Sequence, residues 1–332
     1  MLPGLVDTRW HMWNTLLRGM SDGRPAGTGT DRGGYFATGT AIGRHFRPGD
    51  VYAGTRLAAA EAADAGITTV HDWAHNVRGR DGAEAGLRPR RVGPARPVLL
   101  RLRGRARQRP ADGPGRPGRP GLPLALLRRG RPPPPRHGLA GDGRVQPADA
   151  SRAGAVPGRD RRRARAWPAR SELQIGYGQP VTGELLAAGL PVGLSVDTTM
   201  LSGNADLFAV MKVAQACANG QARHEFALTA RDVLRLATID GARSLGLGAQ
   251  TGSLAPGKRA DVIVESVDAP NLGVLTDPVR LLVTAASPRD VQLVVADGRI
   301  LKRDGVLSAV DVAEVTRSAR ESLSGVLARA AA

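Results

Sequence analysis

The first residues whose types and spacing could carry chemistry lie at the start of the chain, in the stretch LPGLVDTRWHMW. A short apolar run is followed there by Asp7 and, four residues later, by His11. A carboxylate and an imidazole directly after an apolar run are typical of a barrel strand whose C-terminal end carries reactive groups. A second such place is the predicted strand 192–196, which ends in Asp197. Taken alone, Asp197 could equally be a reactive carboxylate or the N-cap of the next helix.

The elements that would position these groups can be read from the neighbouring sequence. Asp50 offers an N-cap for a helix over residues 51–65, and the β-branched run ITTV at 67–70 is typical of a buried parallel strand. That strand ends in His71 and Asp72. At the mouth of a barrel these two could orient a substrate, or they could simply satisfy hydrogen bonds at the strand end.

The second half of the chain has the most regular patterns. Thr229 is placed to cap a helix, and strands are predicted at 261–264, 291–295 and 300–301. An amphipathic helix is predicted over 310–327. Residues 21–50, rich in Gly, Thr and Arg, predict a long loop instead.

The remaining histidines and the single cysteine have no partner at a spacing typical of a ligand or nucleophile. His45, His75 and His224 are interpreted as loop residues, and Cys217 as a small core residue. One cysteine excludes an internal disulfide and fits a reducing compartment. The sequence shows neither a signal peptide nor about 18 consecutive apolar residues, so we expect a cytoplasmic protein with no membrane partner.

The charge of the chain is concentrated in one segment. The net charge is +17, but residues 88–170 contain 23 Arg, no Lys and 4 Asp, a net +19. The other residues contain 24 basic and 26 acidic side chains, a net −2. The segment also has 15 Pro and no Ile, Phe, Tyr or Met, so it cannot bury enough apolar surface to offset the entropy of ordering. It is predicted to be disordered.

Two explanations of residues 88–170 remain open. The first is an Arg-rich linker that contacts phosphates electrostatically, although Trp167 alone gives little base stacking. The second is translation out of frame, because a GC-rich gene read in a shifted frame yields mainly Arg, Pro, Gly and Ala. The abrupt change of residue types favours the second. It predicts that another frame of these codons encodes Val/Ile-rich strands ending in histidine; stop codons or equally biased sequence in every frame would refute it.

Several stretches resemble the amidohydrolase superfamily, in its branch of cytosine-deaminase-like and chlorohydrolase-like enzymes. The opening residues are similar to that family's PG-hydrophobic-hydrophobic-D-x-H-x-H, with Arg9 at the position of the first histidine. LSVD at 194–197 is similar to the turn that ends its last barrel strand. The family's C-terminal pattern is matched nearly throughout by the stretch LTARDVLRLATIDGARSLGLGAQTGSLAPGKRADVIV. The resemblance covers about residues 1–87 and 171–310.

The resemblance implies a divalent metal, commonly zinc or iron, that activates water for attack on a carbon–nitrogen bond. The family's ligands are two histidines after the first strand, one from each of two middle strands and the last-strand aspartate. Only His11 and Asp197 match, so both are implied metal ligands and Asp197 is the implied catalytic proton acceptor. Arg9 has no lone pair to donate, and His137, in the Arg-rich segment, is not assigned. We therefore expect the metal to be absent or weakly bound.

The sequence thus predicts an α/β fold with an incomplete (β/α)8 TIM-type barrel and the C-terminal half of a small β-sandwich. Relatives carry sandwich strands before the barrel, so we expect a missing N-terminal part and unpaired edges in the strands near 261–301. The predicted units are the first barrel strands and helix at 1–87, the Arg-rich segment at 88–170, the last barrel strand and helices at 171–255, the sandwich remnant at 256–306 and a terminal helix at 307–332.

The predicted function is a metal-dependent, deaminase-like hydrolase of cyclic or linear amidines and amides, with a small-molecule substrate and impaired activity in this chain. Its substrate-binding residues and a homo-oligomeric state stay open. The alternative is a non-enzymatic basic protein that binds nucleic acid nonspecifically through residues 88–170.

Overall fold

The computed structural model describes residues 1–21, 34–74, 76, 98–99, 165–167 and 169–332, with only the backbone described at 98–99 and 165–167. Most of the segment 88–170, with His137, lies outside these residues, and so does His75. The expectations placed on them stay predictions.

The strands are short. In chain order they are β1 (Leu2–Pro3), β2 (Leu5–Trp10), β3 (Ile67–Asp72), β4 (Val98–Leu99), β5 (Arg165–Trp167), β6 (Val192–Leu194), β7 (Val262–Glu265), β8 (Val291–Ala296), β9 (Arg299–Arg303) and β10 (Val306–Leu307).

The helices lie between and after these strands. In chain order they are α1 (Tyr35–Gly43), α2 (Pro48–Asp64), α3 (Ala169–Ile175), α4 (Thr182–Ala187), α5 (Thr199–Ser202), α6 (Leu207–Ala222), α7 (Ala230–Leu236), α8 (Ile239–Ser244), α9 (Pro278–Thr284) and α10 (Val312–Ala331). Short 3-10 helices cover Met12–Leu17 and Pro288–Asp290. None of the helices in the described ranges has the length and apolar composition needed to span a bilayer.

Parallel strands form an arc around β2. Strand β3 pairs with β2 in parallel, with Leu5 opposite Ile67. On the other side, Trp10 forms a parallel bridge with Asp197, just after β6, and β6 pairs in parallel with β5. Parallel neighbours with covered faces are typical of barrel strands, and β2 is buried along nearly its whole length.

The part of the chain that the structure describes contains no closed ring of eight strands. Its arc runs β5, β6, β2, β3 and then β4, and β4 is antiparallel to β3, whereas strands of a TIM barrel are all parallel. The predicted α/β fold agrees with this arc, and a complete eight-stranded barrel does not appear among these residues.

A second, antiparallel sheet has the order β1, β7, β8, β9 and β10 within the described residues. Leu2 lies opposite Ile263 and Pro3 opposite Val262, so β1 covers one side of β7. The expectation that the strands near 261–301 leave this edge unpaired was wrong. The reason is that a two-residue strand immediately before the first barrel strand has no periodicity by which the sequence could reveal it.

The long loop predicted over residues 21–50 was wrong for residues 35–43, which form helix α1. Tyr35 and Ile42 pack against a cluster built on Trp13 and Val51, and this tertiary contact outweighs the poor helix propensity of the intervening Gly and Thr. The N-cap prediction at Asp50 was also wrong. Helix α2 starts earlier, at a proline, and Asp50 lies in its first turn.

Helix α2 packs closely on the residues that follow β2, and a glycine makes this contact possible. A Cβ atom at Gly54 would lie 2.3 Å from the Trp13 carbonyl oxygen, which is backbone and cannot rotate away. A Cβ atom at Gly220, in helix α6, would meet nothing within 4 Å. Alanine substitutions at these two positions therefore distinguish the effect of close packing from the effect of helix propensity.

We predict that Gly54→Ala lowers the free energy of unfolding by about 1–3 kcal/mol, because the clash forces α2 away from Trp13. Gly220→Ala is the matched control and should raise it by up to about 1 kcal/mol, because alanine loses less entropy in a helix. Urea unfolding followed by circular dichroism measures both. Equal effects of the two substitutions would contradict the close packing.

Candidate active site

His11 and Asp197 lie side by side because the backbones after β2 and β6 are bonded to each other. The Asp197 N–H donates to the Arg9 carbonyl oxygen at 3.1 Å, and the His11 N–H donates to the Asp197 carbonyl oxygen at 2.6 Å. Asp197 has φ +64°, a left-handed conformation that is uncommon for residues other than glycine and is found at functional sites. The Ser195 hydroxyl also accepts a hydrogen bond from the Asp197 N–H at 2.9 Å.

The side chains of Arg9, His11 and Asp197 form a compact cluster. Arg9 Nε lies 3.3 Å from Asp197 Oδ1, and His11 Nε2 lies 3.5 Å from the same oxygen. Neither Arg9 Nε nor Asp197 Oδ1 makes a well-directed hydrogen bond within the described structure, so their attraction is an ion pair. Burial raises the pKa of Asp197 to about 6, and the Arg9 guanidinium limits that rise.

The orientation of the His11 ring follows from its partners. Nδ1 lies 3.0 Å from the Trp73 carbonyl oxygen, which can only accept a hydrogen bond. Neutral His11 therefore carries its proton on Nδ1 and its lone pair on Nε2. That lone pair faces Arg9 Nη2 at 3.4 Å, and the Arg9 guanidinium in turn lies 4.7 Å from the centre of the Trp73 ring.

A divalent metal does not fit this cluster. An imidazole fixed by a backbone carbonyl on its other nitrogen is the usual orientation of a metal-binding histidine. Here, however, the guanidinium of Arg9 lies against both Nε2 of His11 and the carboxylate of Asp197, and it would repel a dication. No group of three or more His, Cys, Asp or Glu side chains able to hold a metal occurs within the described ranges. The metal-ligand roles of His11 and Asp197 stay predictions.

Asp7 lies beneath the cluster and links the two barrel strands. Its carboxylate is fully buried and accepts the Arg9 N–H at 3.0 Å and the Val196 N–H at 2.9 Å. Burial raises the pKa of Asp7 to about 8, although both backbone N–H groups oppose the rise. Asp7 therefore positions the residues around it and does not line the cavity above.

A cavity of about 610 Å³ opens above Arg9, His11 and Asp197. Its walls come from α1 and from α3 with the residues after it. The lining side chains that carry aromatic or polar groups include Trp13, Asn14, Tyr35, Phe36, Glu172 and Tyr177. Burial and the Asp197 carboxylate raise the pKa of Glu172 to about 7, and burial raises the pKa of Tyr35 to about 12.

Other residues considered from the sequence lie outside the cavity lining. His71 Nδ1 is 3.0 Å from the Thr8 carbonyl oxygen, and Asp72 Oδ1 accepts a hydrogen bond from the Met12 N–H at 3.3 Å. Both contacts are hydrogen bonds at the end of a strand. His45 accepts a hydrogen bond from Arg44 at 2.9 Å. Burial raises the pKa of the Cys217 thiol, which disfavours the thiolate.

The residues that form the cavity walls were not predicted from the sequence. Tyr35 and Phe36 fell within the predicted loop, and Glu172 and Tyr177 were given no role. One signal was available: aromatic residues make up only 3% of the chain, so a pair such as Tyr35-Phe36 is unusual in it.

Comparison with known proteins shows which protein family this chain is similar to. The amidohydrolase family model matches residues 161–301. The 5'-deoxyadenosine deaminase of Methanothermobacter thermautotrophicus is 36% identical over 158 residues, which are 47% of this chain and 36% of that protein. The 5-methylthioadenosine/S-adenosylhomocysteine deaminase of Desulfitobacterium hafniense is 35% identical over 156 residues, again 47% of this chain and 36% of that protein.

Solved structures show the same type of fold. A zinc-bound adenosine deaminase from Xanthomonas campestris has a TM-score of 0.69 at 19% identity, over 98% of this chain and 86% of that one. A zinc-bound atrazine chlorohydrolase from Arthrobacter aurescens has a TM-score of 0.65 at 18% identity, over 97% and 88% of the two chains. At this identity the likeness shows a TIM-barrel-like fold and no more.

The fold and the site thus define a barrel-type α/β protein with charged groups at the strand ends. Residues 161–301 of the chain match the amidohydrolase family, and its curated relatives named above are deaminases. The chain matches only about a third of the length of these relatives.

We predict that stability falls as the pH rises from about 4 to about 8. Over that window folded Asp7 keeps a proton that the unfolded chain, with an ordinary pKa of 3.8, has released, so raising the pH favours unfolding. Asp7→Asn should make the fall shallower and, because one backbone N–H loses its acceptor, lower stability at pH 5 by about 1–3 kcal/mol. Urea midpoints at several pH values measure both effects.

Asp268→Asn, at an exposed position, is the control and should leave the pH slope unchanged. An unchanged slope in Asp7→Asn would contradict the raised pKa of Asp7. Glu265 has its pKa raised to about 7 by burial, so part of the slope should survive.

Proposed function

We propose that this chain has the substrate cavity of a deaminase-like hydrolase of carbon–nitrogen bonds, acting on a small ring compound, and that it hydrolyses such a compound weakly or not at all. The observation that carries the proposal is the contact of the Arg9 guanidinium with both His11 and Asp197 in the cavity lining. The deaminase relatives support the reaction class, and the guanidinium supports the impairment.

The chemistry explains why this arrangement hydrolyses poorly. Hydrolytic deamination adds water to a ring carbon and releases the amine as ammonia, so a base must take a proton from the water. Asp197 lines the cavity and is the carboxylate that the family resemblance assigns to this step, with a pKa of about 6. Free water has a pKa of about 15.7, and a gap of about ten units costs ~13 kcal/mol for the proton transfer. A bound divalent metal would close most of that gap, but the residues present do not fit one.

Purified protein tests this directly. Ammonia release from 5'-deoxyadenosine and from 5-methylthioadenosine should not exceed the no-protein background, with or without added zinc, and metal analysis should find far less than one zinc or iron per chain. Near-stoichiometric, tightly bound zinc or iron together with deaminase turnover would show the proposal to be wrong.

We predict that Arg9→His strengthens zinc binding, because it removes a cation and adds a third side chain able to bind the metal beside His11 and Asp197. Arg9→Gln is the matched control, since it removes the charge without adding a good ligand. Zinc affinity, measured by titration against a competing chelator, should be about ten-fold or more tighter in Arg9→His than in Arg9→Gln. Equal affinities in the two variants would mean that position 9 is not beside the metal site.

The alternative of a non-enzymatic basic binding protein depends on residues 88–170, most of which the structure does not describe. It stays a prediction. Steeply salt-dependent binding of nucleic acid by an isolated 88–170 peptide would support it.

A further inference from the structure

The cavity concentrates the aromatic side chains of a chain that has few of them. The sequence has four Trp, three Tyr and four Phe, and Trp13, Tyr35, Phe36 and Tyr177 line this one cavity. Trp13 and Tyr35 pack within the structure, whereas Phe36 is 55% and Tyr177 42% exposed. Two large aromatic groups exposed next to each other at a cavity leave apolar surface in water, which is costly unless a ligand covers it.

Phe36 and Tyr177 come from different parts of the chain, and their rings are loosely stacked on each other. Their ring centroids are 6.5 Å apart and the ring planes differ by 29°. Tyr35 supports Phe36 from the side, with centroids 5.1 Å apart and a steep angle between the rings. A nearly parallel pair of this kind offers its faces to a third planar ring.

Glu172 lies on the same side of the cavity as Tyr177, whose N–H donates to the Glu172 carbonyl oxygen at 3.0 Å. Within the described ranges no group donates a hydrogen bond to the Glu172 carboxylate. A half-buried carboxylate without such a donor favours a ligand that brings N–H groups to it. It also disfavours an anionic ligand, which the Glu172 and Asp197 carboxylates of the cavity would repel, and the Arg9 guanidinium offsets only part of that repulsion.

We propose that Phe36 and Tyr177 form the surface on which a planar heteroaromatic ring stacks, and that Glu172 accepts hydrogen bonds from amino groups at the edge of that ring. The ligand class is an uncharged, amino-bearing heterocycle. This inference rests on the proposed function, because it names the residues that select the ring compound, but it concerns binding and needs no hydrolysis.

The test measures equilibrium binding of adenosine at pH 8.5 by calorimetry, with N6,N6-dimethyladenosine as the matched ligand that keeps the ring and lacks the amino hydrogens. Phe36→Ala and Tyr177→Ala should each weaken the binding of both ligands by about ten-fold, a size typical of a lost stacking partner. Phe226→Ala is the control, because Phe226 is equally exposed at 57% but does not line the cavity, and it should change neither affinity.

Glu172→Leu separates the polar contact from the stacking. It should weaken adenosine about ten-fold while leaving N6,N6-dimethyladenosine nearly unchanged, because only adenosine has N–H groups for the carboxylate. Circular dichroism spectra should show that every variant keeps its fold.

Three results would overturn the inference: no binding of adenosine by the unaltered chain at millimolar concentration, unchanged affinity in folded Phe36→Ala and Tyr177→Ala, or equal effects of Glu172→Leu on adenosine and N6,N6-dimethyladenosine. If both aromatic variants weaken binding and Glu172→Leu weakens adenosine selectively, the inference holds even where deaminase turnover proves the proposed impairment wrong.

Discussion

The contact on which this account depends is the one between a guanidinium and the two side chains that the family resemblance assigns to a metal. Arg9 Nε lies 3.3 Å from Asp197 Oδ1, and Arg9 Nη2 lies 3.4 Å from His11 Nε2. A partly buried carboxylate needs a positive partner, and removing one partner of such a pair costs ~3–5 kcal/mol. Arg9 therefore offsets the Asp197 charge, and its own positive charge would repel a dication at the same place.

Backbone pairing keeps this contact in place. Asp197 is bonded through its N–H to Arg9 and through its carbonyl to His11, so strand pairing fixes all three residues together. Asp7 reinforces the arrangement from below by accepting N–H groups from both strands. Much of the cavity wall comes from α1 and from α3 with the residues after it, and its exposed aromatic side chains, Phe36 and Tyr177, take no part in the ion pair. The proposed ring binding and the proposed loss of water activation therefore depend on different residues.

Local patterns predicted the parts of the fold that local interactions determine. Thr229 caps α7 as expected, and β3, β7 and β8 lie where their β-branched runs indicated. The neighbourhood of His11 and Asp197 was also predictable, because the C-terminal ends of adjacent parallel strands lie at one edge. The stacking of Phe36 on Tyr177 was not, since these residues are 141 positions apart and α1 itself depends on packing against Trp13. Nor could two residues, Leu2 and Pro3, reveal their pairing with β7.

The most direct measurement of the central claim is anomalous X-ray scattering at the zinc edge from crystals of the unaltered protein grown with zinc. We expect no anomalous peak between His11 and Asp197. We also expect the Arg9 guanidinium to stay in hydrogen-bonding or ion-pair contact with both side chains. A peak about 2.0–2.2 Å from His11 Nε2 and an Asp197 carboxylate oxygen, with Arg9 turned away, would contradict the central claim.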